Sequence, residues 1–580
     1  CAGDCICTHR AAACDAYRLG GGGAAGFSVT DYDVLATTYG VVGDGTTDNT
    51  AALQSFFNAS AGKRGLINVP GTILTGKVSP KSNSRIAICS GCTLKKKLNG
   101  LNVISIEEAE NITLVGNAAS VVGDDAEGTT LFSSTIVVTG SKRITFQDLH
   151  VSGSAAGAAG KDGYYIGVGV AGRPCEDILI VGGSAKNAKR NNISVAGGLR
   201  TVIRNVEASG ATGAPGAGVD VEANFYDDVD QTLIENCHIH HNEHAGVVQV
   251  FGTNTKIKGG SIHDNGTYGA GTGSGGTQFD DGVYRPNVDI FGVTGADNAT
   301  GVVFVGDRTN LPVGMVMNFQ LRNGATKPAE LSASYFIVSR HVGSNGIVLG
   351  QAVDFMEITS FATGFTGTQS GDPAVSDVRI QAFADGQSDG FELEGVTIYN
   401  NGSQGIFMAG AGGLYAHDCK VYDNGSNQVQ TAYTRNVRVI GNEIYQTGAS
   451  SANYSGISFG TGSGVMEISG NNIHDTRGKG INGASWTGAN IDANTVNNCG
   501  EFEPSSGKAA INLESIKGFS LTNNRVTQAV GNTATLYGIF LPSTATNGTV
   551  TGNDCTGAGT TNANSISVSS GTNTVSNNKF

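Results

Sequence analysis

A short pattern of alternating apolar and polar residues recurs along the chain. In each copy a small or polar residue precedes Ile or Val, and the aliphatic position then alternates with a polar one. The copies lie at 192–195, 218–221, 405–408, 456–459, 510–513, 538–541 and 565–568. From Ile457 the aliphatic position returns at 481, 511, 539 and 566, in steps of 24, 30, 28 and 27 residues. One strand phrase per repeat of that length predicts a solenoid, whose coils bury their apolar sides by stacking.

The composition predicts tight turns between the strands. The 580 residues include 87 Gly and only 10 Pro, with 39% hydrophobic and 15% charged residues. Pairs such as Asn-Gly, Asp-Gly and Asn-Asn, as at 264–266, 423–425 and 470–472, supply residues that tolerate a positive φ. The sequence therefore predicts an all-β protein with many tight corners.

The formal net charge of −13 narrows the classes of partner. An acidic surface argues against nucleic acid and against anionic membranes, whereas a local basic strip can still bind an anionic polysaccharide. No run approaches the roughly 18 apolar residues of a membrane span, so none is predicted.

The 11 cysteines leave two interpretations open. Cys1, Cys5, Cys7 and Cys14 crowd the N-terminus, and Cys89 and Cys92 form a CxxC pair. A zinc site or a disulfide-tied cap would use such pairs, whereas small buried residues in coils would explain them without any ligand. Cys237, Cys419 and Cys555 lie in strand-like stretches, where we interpret them as structural.

Changes in the repeat period divide the chain into four predicted segments. Residues 1–26 end in a Gly-rich stretch and are predicted to form an arm, and 27–285 hold the N-terminal cap and the first coils. Residues 286–385 lose the period and contain more Phe and Met, which predicts an inserted β domain. The period resumes in 386–580, the second part of the solenoid.

The start of the solenoid has a pattern of its own. Asp48 is placed to cap a helix, and Leu53, Phe56 and Phe57 give that helix one apolar stripe. A strand phrase with a Pro-Gly turn follows at 65–71. We expect the helix to cover the open end of the solenoid, because the unpaired backbone groups of an exposed edge strand promote aggregation.

This segment, 39–71, resembles the N-terminal signature of the pectate-lyase-like superfamily. That family includes secreted polysaccharide lyases and hydrolases, mannuronan C5-epimerases and phage tailspike depolymerases. The resemblance implies a right-handed parallel β-helix with an N-terminal capping helix, a polysaccharide as partner, and a place outside the cell or on a cell or virion surface. A homotrimer is one assembly that the resemblance allows. The inserted segment is loosely similar to small β modules of phage tail proteins.

Chemistry is predicted where two carboxylates follow two valines in one strand phrase. In 219–222 the valines should face the core, and Asp220 and Glu222 should then face outward, about 6.6–7 Å apart at Cα. Such a pair can divide acid and base roles, because neighbouring carboxyl groups push their pKa values apart. The same oxygens, with Asn224, could instead hold a cation such as calcium, although no cofactor is required. A solvated strand face is the third interpretation.

Neighbouring coils add further polar residues to this band. Lys189 and Arg190 precede one strand phrase, and His244 precedes another, so that Asp220, Glu222, Lys189, Arg190 and His244 form the predicted catalytic set. The predicted substrate-binding residues are Lys161, Asp162, Tyr164, Asn192, Asn224, Gln249, Asp280, Asp281 and Arg285. Mannuronan epimerases have Pro-His where this chain has Val221 and Glu222, so epimerase activity is not expected.

Histidines recur at one position of successive coils. His240, His263 and His474 each lie near the end of an Ile-centred strand phrase that runs into a turn. A residue that repeats at one coil position is better explained by a ladder at the corner than by metal binding, and we predict no metal site.

Together these observations predict a protein that recognises and degrades an extracellular polysaccharide. In hydrolysis, Asp220 and Glu222 would share the acid and base roles while Lys189 and Arg190 bind anionic sugars; in β-elimination, Lys189 or Arg190 would be the base. The alternatives are a glycan-binding adhesin or virion appendage without catalysis, and a purely structural spike.

Overall fold

The coordinates are a computed structural model of the chain. It describes residues 29–580 except 98–101, 124–133, 154–161, 171, 214–215, 223–228, 267–276, 280–282, 285–295, 298–301, 305–315, 322–335, 343–345, 354–356, 362–377, 384–389, 410–411, 433, 448–453, 461, 501–508, 529–536, 559–564 and 570.

Most strands belong to three parallel stacks that run along one rod, each coil adding one strand to each stack. The first stack contains Ile104–Glu107, Ile136–Thr139, Tyr164–Gly167, Ile193–Val195, Val219–Glu222, Val247–Phe251, Thr277–Phe279, Ile406–Ala409, Val429–Ala432, Ile457–Phe459, Ile481–Ala484, Ala509–Glu514, Tyr537–Leu541 and Ile566–Val568.

The second and third stacks lie on the other sides of the rod and share two long strands, Glu110–Val122 and Lys142–Ser152. The second stack also has Val34–Leu35, Arg64–Ile67, Arg85–Ile88, Cys175–Val181, Gly198–Leu199, Val202–Arg204, Val229–Asp230, Leu233–Glu235, Lys256–Lys258, Phe391–Glu394, Gly412–His417, Thr434–Ile440, Gly462–Ser469, Ala489–Asp492, Ser520–Thr522, Thr549–Thr551 and Thr574–Ser576. The third has Asp44–Asp48, Gly71–Thr75, Cys92–Lys96, Ser184–Lys186, Glu207–Ser209, His238–His240, Ser261–His263, Thr397–Tyr399, Lys420–Tyr422, Glu443–Tyr445, Asn472–His474, Thr495–Asn497 and Arg525–Thr527.

The strand register places aliphatic residues in columns inside the rod. Ile457 pairs in register with Ile481, which continues to Ile511, Ile539 and Ile566. All but the last of these are 0–1% exposed and belong to one continuous core. The predicted stacking of Ile on Ile is therefore confirmed, and with it the all-β solenoid of parallel coils.

Buried amides follow the corners from coil to coil. Asn471 Nδ2 donates to Asn494 Oδ1 at 2.9 Å, Asn494 donates to Asn524 at 2.9 Å, and Asn524 donates to Asn553 at 3.0 Å. A second ladder joins Asn242, Asn265, Asn401 and Asn424. A residue with positive φ precedes each ladder Asn in this second group, such as Asp264 at 52°. The corner pairs predicted from the sequence thus form both the turn and an internal hydrogen-bond chain.

A column of aromatic rings runs along the outside of the third stack. His240, His263, Tyr399, Tyr422, Tyr445 and His474 succeed one another in register. Their ring centroids are 4.5–5.2 Å apart and neighbouring rings are nearly parallel. The predicted ladder of histidines is therefore present, with tyrosines completing it.

A helix, α1 (Thr50–Ala59), covers the N-terminal end of the core with Leu53, Phe56 and Phe57 buried, as predicted. Short 3₁₀ helices lie at Val29–Asp31 and Ala36–Tyr39. Asn49 is the N-cap residue rather than Asp48, but an Asp48 oxygen accepts the Thr50 N–H at 3.0 Å. Among the described residues, no helix combines the length and the apolar content that crossing a bilayer requires.

An antiparallel sheet interrupts the coils. Its strands are Val283–Tyr284, Ala296–Asp297, Val302–Phe304, Val316–Leu321, Phe336–Val342, Gly346–Val353, Glu357–Phe361 and Val378–Phe383. On either side of it the coils pair directly, since Ser261–His263 lies in register with Thr397–Tyr399. The domain boundaries predicted from the sequence, including those of the arm at 1–26, stay a prediction.

The cysteines fall into two groups. Cys89 and Cys92 form a disulfide, which selects one of the two interpretations for this pair. Cys237, Cys419 and Cys555 are buried free thiols, as are Cys175 and Cys499. Burial raises the pKa of Cys237 to about 11, so this thiol stays protonated and acts as a small apolar residue. Cys1, Cys5, Cys7 and Cys14 lie outside the described residues.

Replacing one amide of the ladder tests how much the corners contribute to stability. Asn494→Ala removes the donor to Asn524 Oδ1 and to the Ile468 carbonyl, and leaves the Asn471 donors without their acceptor. Because each buried unpaired group costs about 1–3 kcal/mol, we expect the free energy of unfolding in urea to fall by about 3 kcal/mol. Asn490→Ala, an exposed amide in the same coil, should change it by less than about 0.5 kcal/mol. Equal losses would show that the ladder contributes nothing of its own.

Removing the interrupting segment tests whether the coils stand without it. Val248 and Lys256 of one coil pair with Gln278 and Glu392 of the next, and seven residues connect Val248 to Lys256. Replacing 280–389 with a four-residue Gly/Ser linker would give the next coil the same length. We expect the far-ultraviolet circular dichroism of the remaining coils to be unchanged and urea to unfold them in one cooperative transition. The reason is that the strands on either side of the segment already pair with each other. Loss of that transition would make the segment part of the folding unit.

Candidate functional site

Arg190 lies among three carboxylates on the first stack. Its Nη2 is 3.3 Å from Glu222 Oε2 and 3.8 Å from Asp220 Oδ2, and its Nη1 is 3.6 Å from Asp162 Oδ2. Three successive coils contribute these residues, because the strand that follows Asp162 pairs with Ile193–Val195, which pairs with Val219–Glu222. We name Asp162, Arg190, Asp220 and Glu222 the Arg190 cluster.

Strand alternation positions the two carboxylates predicted as a pair. Val219 and Val221 face the core at 0% exposure, and Asp220 and Glu222 leave the strand on the other side. Their surroundings differ, since the Asp220 side chain is 1% exposed and that of Glu222 is 42% exposed. Glu222 therefore reaches the surface, whereas Arg190 and Asn191 contact Asp220 from the solvent side of the strand and cover it.

Asn191 connects the buried members of the cluster. Its Nδ2 donates to Asp220 Oδ2 at 2.6 Å and to Ser194 Oγ at 3.1 Å, and its backbone N–H donates to Asp162 Oδ1 at 3.1 Å. The other oxygen, Asp220 Oδ1, has no hydrogen-bond partner among the described residues. A buried carboxyl oxygen without a donor is expensive as an anion but acceptable as the hydroxyl of a protonated acid.

The electrostatics of the cluster favour a neutral Asp220. Burial, followed by the negative charge of Glu222, raises the pKa of Asp220 well above its usual value, and Arg190 only partly offsets this. Burial also raises the pKa of Asp162. Burial lowers the pKa of Arg190, but the charges of Asp162, Asp220 and Glu222 outweigh it and the net shift is upward. The cluster thus combines a fixed cation, two buried carboxyl groups and one accessible carboxylate.

Three of the predicted binding residues, Tyr164, Asn192 and Gln249, are buried. Tyr164 is 1% exposed and packs against Phe146 at 5.4 Å between ring centroids, so the prediction that it lines the surface is wrong. The outward tyrosine is Tyr165, which pairs in register with Ser194 and is half-buried beside Arg190. Because Ile166 faces the core, strict alternation inward from Ile166 would have placed Tyr164 inside and Tyr165 outside.

Asn192 is also a structural residue. It is 0% exposed, and its Nδ2 donates to Asn242 Oδ1 at 2.9 Å, which places it in the corner ladder. Its neighbour Asn191 is the amide that contacts the carboxylates. The pair Asn191-Asn192 offered no signal in the sequence to choose between them.

The predicted outward position of Gln249 is wrong as well. Val247 pairs with Val219, so Val248 takes the position of Asp220 and Gln249 that of Val221. Gln249 is 1% exposed, and its Nε2 donates to the Gly252 carbonyl at 2.9 Å. The run Val247-Val248-Gln249-Val250 fits two registers, and a shift of one residue exchanges the two faces of a strand.

The other predicted residues do not contact the Arg190 cluster in the hydrogen bonds and ion pairs above, or lie outside the described residues. His244 is half-buried, with its ring against Gly216, and Lys189 is half-buried in the turn before Arg190. Neither is among the residues that contact Asp220 in the hydrogen bonds and ion pairs above. Lys161, Asn224, Asp280, Asp281 and Arg285 lie outside the described residues. The roles of all these residues stay predictions.

Comparison with known proteins agrees with the architecture. The family model described as the right handed beta helix region matches residues 340–496 and 375–580, which together are less than half of the chain. With the parallel stacks above, this match gives the hand of the coil. The chain is a right-handed parallel β-helix protein. The fold implied by the sequence resemblance is therefore confirmed for the β-helix.

Solved structures similar to this β-helix have low identity to it. The Azotobacter vinelandii mannuronan C-5 epimerase AlgE6 A-module is 12% identical, covering 90% of this chain and 98% of that chain, with a TM-score of 0.43. The Dettilon tailspike protein gp208 is 13% identical over 92% of this chain and 68% of that chain, with a TM-score of 0.33. The catalytic unit of a GH87 α-1,3-glucanase from Streptomyces thermodiastaticus strain HF3-3 is 11% identical over 92% and 69%, with a TM-score of 0.33. No curated protein matches the sequence.

The raised pKa of Asp220 predicts a pH dependence of stability. The unfolded chain releases this proton near pH 3.8, whereas the folded β-helix retains it to higher pH. Since the folded state binds more protons in that window, Asp220 lowers the free energy of unfolding progressively as pH rises through its folded pKa. Asp220→Asn removes this titration, so we expect the variant to gain stability relative to the wild type as pH rises from about 4 to 8. Urea unfolding at a series of pH values measures this difference.

Asp230 provides a control of opposite sign. Although burial opposes it, hydrogen bonds from Thr253, Asn254 and Gln231 lower the pKa of Asp230, so its contribution is present above the unfolded pKa and is lost as pH falls through the folded one. Asp230→Asn should therefore differ from the wild type mainly in becoming less stable above pH about 4. A difference between wild type and Asp220→Asn that does not vary with pH would contradict a protonated Asp220.

Proposed function

We propose that the protein binds an extracellular polysaccharide at the Arg190 cluster and cleaves it by hydrolysis. The observation that carries this proposal is the contrast between two neighbouring carboxyl groups on one strand. Asp220 is buried with a raised pKa and one oxygen without a partner among the described residues, whereas Glu222 is 42% exposed beside Arg190. Glycoside hydrolysis uses one protonated and one ionised carboxyl group in this way.

In this proposal Asp220 is the general acid. Its carboxyl group holds a proton at a pH where an exposed aspartate would have lost it, and it delivers that proton to the oxygen of the leaving sugar. Glu222 acts on the sugar carbon either directly or by activating a water molecule. Positioned acid or base groups of this kind contribute about 10²–10⁴-fold to a rate.

Arg190 binds and orients rather than removing a proton. Burial lowers the pKa of its guanidinium, but the negative charge of the carboxyl groups within 3.8 Å outweighs burial and raises it, which makes Arg190 a poor base for β-elimination. The same charge attracts an anionic sugar, whose carboxylate or sulfate group would replace Glu222 as its partner. Because Asp220 is 1% exposed, we propose that this exchange also uncovers the Asp220 carboxyl group.

No divalent cation is required in this proposal, because Arg190 already supplies a positive charge among the three carboxyl groups. A calcium ion bound by the same oxygens is the alternative, and a chelator in the activity assay separates the two. We further propose that the protein works outside the cell or on a cell or virion surface. Its assembly, with a homotrimer as one candidate, is measurable by light scattering.

A glycan-binding protein without catalysis is the second candidate. The burial of both Asp162 and Asp220 favours it, since carboxyl groups below the surface can hold Arg190 in place without reaching a bound sugar. Glycan would then bind to Arg190, Glu222 and Tyr165, and no bond would be broken.

Purified protein incubated with a panel of anionic and neutral polysaccharides tests both candidates. Release of reducing ends without ultraviolet-absorbing unsaturated sugar would identify hydrolysis, and the unsaturated product would identify a lyase. We expect Asp220→Asn and Glu222→Gln each to lower the hydrolysis rate by about 100-fold or more.

Glu467→Gln is the matched control, because Glu467 is an ion-paired surface carboxylate on the second stack, 3.6 Å from Arg438. It should leave the rate unchanged. Hydrolysis that survives both Asp220→Asn and Glu222→Gln would move the active site elsewhere. Saturable binding without product, weakened by Arg190→Ala, would select the second candidate.

A further inference from the structure

Histidine side chains meet on the third stack, away from the Arg190 cluster. His238 and His240 flank the buried Ile239 on one strand, and His263 follows the buried Ile262 on the next. Strand alternation therefore sends all three imidazoles outward from the core. His240 and His263 belong to the aromatic column, whereas His238 lies in the adjacent row, opposite Glu207 and Ser261.

Two of these rings touch through their nitrogens. His238 Nε2 and His263 Nε2 are 2.6 Å apart, a distance that requires at least one of the two nitrogens to carry no proton. We name this pair the histidine clasp. One nitrogen therefore donates a hydrogen bond and the other accepts it, so that a single proton lies between the two rings.

Asp264 fixes the orientation of one half of the clasp. Its Oδ2 lies 2.6 Å from His263 Nδ1, so that nitrogen donates its hydrogen to the carboxylate. The lone pair of neutral His263 is then on Nε2, aimed at His238. A carboxylate on the far nitrogen of an imidazole is the usual support of a metal-binding histidine, because it sets the tautomer and holds the ring.

Packing makes one ring rigid and leaves the other adjustable. His263 is 8% exposed and stacks between His240 and Tyr399, with centroids 5.2 and 4.5 Å away. His238 is exposed. A small rotation of His238 would open the gap between the two nitrogens to about 3.3 Å, the separation of two ligands bound tetrahedrally at about 2.0–2.1 Å.

We propose that a divalent transition-metal ion of the zinc type binds between His238 Nε2 and His263 Nε2, in place of the proton they share. Imidazole nitrogen suits zinc, copper and nickel, whereas calcium and magnesium take oxygen ligands. Water completes the coordination, since the neighbouring carboxylate of Glu207 is already paired with Lys186 at 2.6 Å. The prediction from sequence that no metal binds is thereby revised for this pair alone.

A second cluster of ligand atoms is less suited to a metal. Glu392, Glu394 and His417 bring their ligand atoms within 4.8 Å of one another. However, Lys256 Nζ lies 2.9 Å from Glu392 and 2.6 Å from Glu394, and Lys258 Nζ lies 3.2 Å from Glu394. Two ammonium groups therefore already supply the positive charge there, and a metal ion would have to displace them.

Isothermal titration of the full chain with zinc chloride tests the proposal. Accessible thiols are first blocked by alkylation, so that the cysteines near the N-terminus do not contribute. We expect stoichiometric zinc binding at this pair, which His238→Gln and His263→Gln should each weaken by at least tenfold. Asp264→Asn should weaken it by about tenfold, as the loss of a supporting carboxylate typically does.

His474→Gln is the matched control. His474 also belongs to the aromatic column, stacks on Tyr445 at 4.8 Å, and has its own carboxylate, Asp475, at 2.8 Å from Nδ1. No second imidazole contacts His474 in the part of the chain described by the structure. Zinc binding should therefore be unchanged in His474→Gln and in His417→Gln.

Binding of copper(II) gives an independent readout, because electron paramagnetic resonance detects coordinated imidazole nitrogen directly. The splitting pattern of two coordinated imidazole nitrogens should be present in the wild type and lost in His238→Gln, and circular dichroism of the variant checks that its fold is unchanged. Zinc binding as tight in His238→Gln as in the wild type, or no stoichiometric binding by the wild type, would overturn the proposal.

Discussion

The structure depends on the contact between aliphatic side chains at equivalent positions of successive coils. Each coil has too few apolar residues to form a core alone, and the column from Ile457 to Ile566 is continuous only because the strands stay parallel and in register. Polar corners then follow from the geometry, since the turns of successive coils must repeat at the same position around the rod. Asn494 and its neighbours satisfy the amide groups buried by that repetition.

The same register assembles the Arg190 cluster from residues far apart in sequence. Asp162 and Asp220 are 58 positions apart but lie two coils apart in the rod. Once Val219 and Val221 point inward, Asp220 and Glu222 must leave the strand on the other side. The two carboxyl groups differ in how deeply Arg190 and Asn191 cover them, and burial raises the pKa of the covered one, Asp220.

Periodicity predicted the coils, the corners and the capping helix because each rests on a local pattern that repeats. It placed Asp220, Glu222 and Arg190 together, since their strand phrases are unambiguous. It failed for Gln249, where Val247-Val248-Gln249-Val250 fits either face, and for Tyr164, where the wrong member of a Tyr-Tyr pair was chosen. The histidine clasp needed coordinates, because the sequence gives the strand spacing of His238 and His263 but not the 2.6 Å contact between their nitrogens.

The corner ladder also bears on the chemical ageing of the rod. Asn265-Gly266 and Asn424-Gly425 are dipeptides in which the glycine nitrogen can attack the preceding amide and convert it to a carboxylate. Here the Gly266 N–H is held by the Asn242 carbonyl at 2.8 Å, and the Gly425 N–H by the Asn401 carbonyl at 2.8 Å. The hydrogen bonds that keep the coils in line therefore also restrain the nitrogens that would start this deamidation, so that the same contacts slow the chemical ageing of the corners.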